Sequence, residues 1–234
     1  MKQKKITSYI KLGKWGAIIA FLGTLFSGPI AMGLVYLVQP QPEWKSVSVY
    51  VSNFHPVQTV PFYFGFLLLG GSITMMASIF LISKDKGKPL LGLIFTTIGC
   101  AMIFFNYFLQ NTVVPALVWN YVPENGPILA FLTMSNPLSF SWAVEMWGYG
   151  FLGVGTWFAA SFFSISKLEK TAKILYIVNG ILSVAGALVT AYDLRWVLNI
   201  PGLISYGLWN ILYVVLIIYF YKVLIQRERN LKSK

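Results

Sequence analysis

Six long apolar runs constrain this chain more than anything else in it. They cover about residues 15–38, 61–83, 90–110, 138–163, 174–194 and 200–221. A helix needs roughly 17–25 apolar residues to cross ~30 Å of hydrocarbon. Inside a bilayer every backbone N–H and C=O must be bonded internally, which leaves helices or a closed barrel. The alternating pattern of a barrel strand is absent. The chain therefore reads as an all-α polytopic membrane protein: one integral domain over 1–234, a bundle of six transmembrane helices with the lipid bilayer as partner. Composition agrees, with 57% of residues hydrophobic and only 11% charged. The first run exceeds the ~7–15 apolar residues of a signal peptide, so it is read as a span.

Charge sets the expected orientation. Lys2, Lys4, Lys5, Lys11 and Lys14 precede the first run, and Lys84, Lys86 and Lys88 follow the second. Lys167, Lys170 and Lys173 follow the fourth, and Lys222, Arg227, Arg229, Lys232 and Lys234 close the chain. The three opposite loops hold only Lys45 and Arg195, so 16 of the 18 Lys and Arg fall on one side. By the positive-inside rule both termini are expected in the cytoplasm of a multi-pass cell-membrane protein. The net charge of +11 is explained by these juxtamembrane clusters and anionic lipid, and no nucleic-acid motif accompanies it.

The rest of the inventory excludes several chemistries. Cys100 is the sole cysteine, so no intrachain disulfide forms. His55 is the sole histidine, which rules out bis-histidine haem ligation and the H-E-x-x-H zinc motif. Nucleotide-binding and nucleophile-elbow motifs are missing. No cofactor and no metal site is expected.

Two outer loops, 39–60 and 111–137, are long enough to fold over the outer mouth. A weak repeat links the second, fourth and sixth runs through Phe64-Gly65-Phe66, Tyr149-Gly150-Phe151 and Tyr206-Gly207-Leu208. Ile82-Ser83-Lys84 and Ile165-Ser166-Lys167 end two of them alike, as three related helical hairpins would. In the first run Gly13, Gly16, Ala20, Gly23 and Ser27 form one stripe of small residues, of the kind that lets helices approach closely. Pro29 is expected to kink that helix. In the fifth, Asn179, Ser183, Gly186, Thr190 and Asp193 share a face. This face reads as interhelical hydrogen-bonding glue before it reads as the wall of a hydrated path.

Glu145 is the residue that most demands a purpose. It sits in an apolar run among tryptophans, where a carboxylate costs about 2.5–3.5 kcal/mol on insertion scales. Tyr149 follows one turn later, and Trp147 lies nearby. Asn106 and Gln110 end the third run, Asp193 and Arg195 end the fifth, and Tyr206 and Asn210 open the sixth. If these faces converge they form an outward-opening cup, acid at the base and aromatic around the wall. Such a cup suits a small organic cation or amphipathic ligand, because aromatic faces attract positive charge. The bland alternative is an ion pair from Glu145 to Arg195 that locks two helices.

Three functions stay open. The first is binding or transport of a small cationic or amphipathic solute at Glu145. The second is a partner or assembly subunit, or a homo-oligomer, docked through the stripe of the first run and the aromatic surface. The third is an intramembrane enzyme on a lipophilic substrate, with Glu145 or Asp193 as acid or base.

Overall fold

A computed structural model describes residues 2–164 and 166–233, Lys2 by its backbone alone. Ile165 of the sequence repeat and Lys234 of the basic tail lie outside the described residues. Ten α-helices follow in order: α1 Lys2–Leu25, α2 Ala31–Val38, α3 Val47–Asn53, α4 Val60–Ile82, α5 Gly87–Phe108, α6 Val114–Trp119, α7 Gly126–Leu132, α8 Phe140–Ala159, α9 Lys167–Tyr192 and α10 Ile200–Lys232. No strand occurs among the described residues.

Six of these helices close into a ring. α1 packs on α4, α4 on α5, α5 on α8, α8 on α9, α9 on α10, and α10 back on α1. The middle of the ring is filled: Leu69, Met75, Ile103, Leu152, Tyr213 and Phe220 are fully buried there. Among the described residues, five helical segments are long and apolar enough to cross a membrane: Gln3–Val38, Pro56–Ile82, Gly87–Trp119, Lys167–Tyr192 and Ile200–Lys232. The fourth expected span, α8, is not among them. Its 20 residues include Glu145, three tryptophans and four glycines, which lower its hydropathy.

Helix boundaries differ from the sequence expectation for definable reasons. α1 starts well before residue 15 because its lysine-rich first turns continue the helix. α5 does not stop at 110. A π segment, Leu109–Val113, carries it into α6, so residues expected in a loop are helical. α10 runs on past 221 to Lys232. The kink expected at Pro29 is present: a π segment, Phe26–Ile30, joins α1 to α2, and Gly28 leaves helical geometry with φ −91° and ψ −107°. Proline lacks the N–H that would bond one turn back.

Glycine sets how closely the ring packs. A side chain at Gly23 would strike the Leu68 backbone, and one at Gly16 the Met75 amide. The small-residue stripe of α1 is thus spent on α4 within the chain and is not free to dock another helix. Gly99 and Gly148 meet across α5 and α8, as do Gly92 and Gly155, so these two helices run antiparallel over their length. Gly153 and Gly180 do the same for α8 and α9. The three glycines of the sequence repeat have different surroundings. Gly65 makes room for Tyr107, Gly150 faces Ala187, and Gly207 stands in open space.

The ring has two unlike ends. The termini share one end with the α4–α5 and α8–α9 turns, so the basic clusters gather there. Gln3 Nε2 donates to Leu231 O at 2.6 Å, and Ser166 and Gln226 meet at 3.0 Å. At the other end α3, α6 and α7 form a cap with its own small core of Tyr50, Val114, Val118 and Leu129.

Candidate functional site

Glu145 lies beneath the cap, buried at 6% exposure. Its Oε2 accepts from Asn106 Nδ2 at 2.6 Å and its Oε1 from the Tyr107 hydroxyl at 3.0 Å. Tyr107 has one proton and gives it to the carboxylate, so the 3.2 Å contact between the Tyr107 and Tyr149 hydroxyls must be donated by Tyr149. Gln110 Nε2 in turn donates to Asn106 Oδ1 at 3.3 Å. Donors thus reach Glu145 from two directions, Asn106 on one side and Tyr107 on the other. Helix geometry explains the convergence. Asn106 on α5 and Gln110 in the π segment that prolongs it are one turn apart, and Gln110 reaches Ser141 of α8 at 3.0 Å.

The cup does not open outward as expected. Residues 132–134, at the end of α7 and just beyond it, lie across it as a roof. Gln110 Nε2 donates to Leu132 O at 2.8 Å and Gln110 Oε1 accepts from Met134 N at 3.2 Å. Ser141 Oγ donates to Leu132 O at 2.5 Å, and Trp142 Nε1 to Met134 O at 2.7 Å. The Met134 sulfur sits 3.2 Å from Asn106 Nδ2. Above the roof is a cleft of about 30 Å³, lined by Gln41, Tyr50, Phe54, Gln58, Thr59, Phe62, Gln110, Thr133, Met134 and Ser135. Burial pushes the Tyr50 phenol above its usual range, and the hydroxyls of Thr133 and Ser135 pull it back.

An aromatic wall continues from Tyr149. Its ring meets Trp209 edge-on at 4.8 Å, and Trp209 stacks on Tyr213 at 4.8 Å. Trp209 Nε1 donates to Ser183 Oγ at 3.1 Å, and Tyr213 bonds Ser72 at 2.6 Å. Polar and aromatic contacts therefore link α4, α10, α9, α8 and α5 in one belt at this depth.

The candidate residues divide clearly. Glu145, Asn106, Gln110 and Tyr149 come together. Tyr206 and Asn210 instead meet Gly28 at the α1 kink, and Asn210 back-bonds to Tyr206 O at 2.9 Å. Trp147 is excluded: two residues beyond Glu145 it points ~200° round the helix, where it is 39% exposed beside Phe151. Asp193 is exposed and caps a 3-10 turn by accepting from Arg195 N at 3.0 Å. Arg195 is exposed too, and the Glu145–Arg195 lock does not form. The ion pairs among the described residues are Lys14–Glu228, Arg227–Glu169 and Lys232–Glu228. His55 caps the turn Pro56–Thr59, its Nδ1 accepting from Val57 N at 3.2 Å.

Sequence reasoning missed Tyr107, Ser141 and the roof. Tyr107 follows Asn106 in the chain, and the room for its ring comes from Gly65 on another helix, α4. The fifth-run stripe behaves as glue. Asn179 Nδ2 donates to Thr156 Oγ1 at 3.2 Å, and Thr190 Oγ1 accepts from Trp196 Nε1 at 2.8 Å. Among the described residues no group of three or more His, Cys, Asp or Glu could hold a metal. Compared with protein-family models, with curated proteins and with solved structures, the chain finds no match.

Proposed function

We propose that the chain is a cell-membrane protein that binds or transports a small cationic or amphipathic solute, with Glu145 as its charge partner. One observation carries this reading: a buried carboxylate that receives only neutral donors, with aromatic rings on the next shell of contacts. Such an acid in a bilayer is retained where something uses it. A cation would complete the charge balance that amide and phenol dipoles leave unfinished.

In this reading α8 is a sixth span. At 20 residues it is ~30 Å long, and its glycines contact α5 from Gly92 to Ile103. Enclosure between α5 and α9 relaxes the need for an all-apolar surface. The gathering of lysines at the termini end favours cytoplasmic termini and an outward cap. The test is uptake of methylammonium into proteoliposomes by wild type and Glu145→Gln. Saturable uptake that disappears in the variant supports the reading, and equal uptake in both sinks it.

A partner-subunit reading has one observation of its own. Residues 203–208 of α10 are exposed on every side. That surface, not the α1 stripe, is where a membrane partner or a second copy would sit. The enzymatic reading gains nothing comparable, because Asp193 is engaged as an exposed cap away from the Glu145 network.

A further inference from the structure

Two stretches of the ring are built on one pattern. α1 runs into the π segment Phe26–Ile30 and then α2, and α5 runs into the π segment Leu109–Val113 and then α6. Each is followed by a cap helix of seven residues, α3 or α7, and by a return helix, α4 or α8. The two π segments stand 83 positions apart. The packing keeps that register. A side chain on Gly16 would meet Gly71 O, Thr74 Cβ and Met75 N of α4. One on Gly99, 83 positions later, would meet Gly148 O, Phe151 Cβ and Leu152 N of α8, each 77 positions later. Gly71 lies against Ala20 and Gly148 against Ile103, while Gly13 lies against Ser78 and Thr96 against Gly155. Ser78 Oγ donates to Tyr9 O at 2.9 Å, and the matching Gly155 lies against Gly92 O. Offsets of 83 on the outgoing helix and 77 on the return helix carry each of these contacts onto its mate.

The same offsets lead to Glu145. Its mate is Leu68, and the mate of Asn106 is Gly23. These two also touch, since a side chain on Gly23 would strike the Leu68 backbone. Tyr107, Gln110, Ser141 and Tyr149 fall on Thr24, Ser27, Phe64 and Ser72. There the helices close without a carboxylate: Thr24 bonds Ala20 O within its own helix, and Phe64 stacks on Phe26 at 5.1 Å. We infer that residues 2–82 and 87–159 are two copies of one packing unit, and that the polar patch around Glu145 is a site carried by one copy alone and not needed by the fold. Positions whose contacts agree between the copies hold the helices together. Those that differ gather in one place and mark the extent of the site, Tyr107 and Ser141 included. A local departure from an otherwise consistent packing pattern is where function is expected. This holds whatever occupies Glu145, and does not rest on the function proposed above.

The test copies the first unit into the second. Asn106→Gly with Glu145→Leu reproduces Gly23 and Leu68. Asn106→Leu with Glu145→Leu keeps the volume filled, in case the glycine leaves a cavity. Replacing a buried polar pair by apolar groups of similar size is often neutral or stabilising. Thermal unfolding of the full chain in detergent is therefore expected to match wild type in at least one double variant, or to exceed it by up to about 4 °C. A midpoint below wild type in both overturns the inference, because the acid and its amide would then be part of what holds α5 to α8. Methylammonium uptake by the same variants in proteoliposomes keeps the two readings of Glu145 apart. Stable variants that take up methylammonium like wild type would remove the proposed function and leave the duplicated unit standing. Variants that lose both stability and uptake would overturn the duplicated-unit inference, and the role of Glu145 as a binding acid would rest on Glu145→Gln.

Discussion

At the termini end of the bundle, Glu169 accepts from Arg227 Nε at 2.8 Å, and the same guanidinium donates to Phe162 O at 2.9 Å and lies over the Phe162 ring. Glu228 accepts from Lys14 Nζ at 2.8 Å. At the cap end, Glu145 accepts from an amide and a phenol. All three carboxylates are hydrogen-bonded, yet only the first two are matched by cations. The difference separates two uses of an acid. Where the helices need fastening, charge is balanced inside the chain. At Glu145 the hydrogen bonds come from an amide and a phenol, and none of the ion pairs among the described residues involves it.

The largest expected effect tests the fastening. Arg227→Met takes the guanidinium from a carboxylate whose side chain is 4% exposed, and breaking a buried pair costs about 3 kcal/mol. Denaturant titration of the purified protein should show that loss, and a change under 1 kcal/mol would erase the distinction between the ends. Next comes the roof. Gln110→Leu removes the group that bonds Leu132 O, Met134 N, Asn106 and Ser141. A loss of about 2 kcal/mol is expected, together with faster proteolysis within the cap segment.

Glu145→Gln sharpens the comparison by doing less. A glutamine keeps an oxygen for Asn106 and offers its NH₂ to the Tyr107 oxygen, whose proton can turn to Tyr149. Stability should move by no more than about 1 kcal/mol, while cation binding at position 145 is lost. Glu169→Gln in the same assay should cost clearly more, because it strands Arg227. The smallest effect belongs to Lys14→Ala. That pair is partly exposed, at 23% and 16%, and about 0.5 kcal/mol is expected, fading in high salt.

Much of the architecture was readable because the bilayer imposes it. Apolar run length gave the positions of the helices, and the lysine pattern anticipated which loops share an end. α8 is the exception, since Glu145, three tryptophans and four glycines leave it less apolar than the five helical segments long and apolar enough to cross. Part of the site was also readable: Asn106, Gln110 and Tyr149 follow from one-turn spacing and from polarity at the ends of apolar runs. What escaped depends on pairing between distant segments. The place of Tyr107 beside Glu145 requires Gly65 on another helix, and the roof requires residues 132–134 to fold back over α5 and α8. Asp193 and Arg195 misled because a charged pair after a span looks the same whether it turns inward or caps a turn. The α1 glycines misled about partners for a similar reason: a stripe of small residues does not say which helix it meets.

The uneven attachment of α10 has a mechanical consequence. Its last turns are held by Arg227 to α9 and by Glu228 to α1, and its middle by Tyr213 to Ser72 and by Trp209 to Ser183. Residues 203–208 are exposed, but Gly202 just before them is buried against the Trp196 backbone. The loosely covered stretch is therefore about two turns long, at ~3.6 residues per turn, and is anchored on both sides. A rod held at both ends of a short stretch bends there and does not swing, so displacing Tyr206 means straining the Gly202 packing or the Trp209 bond first.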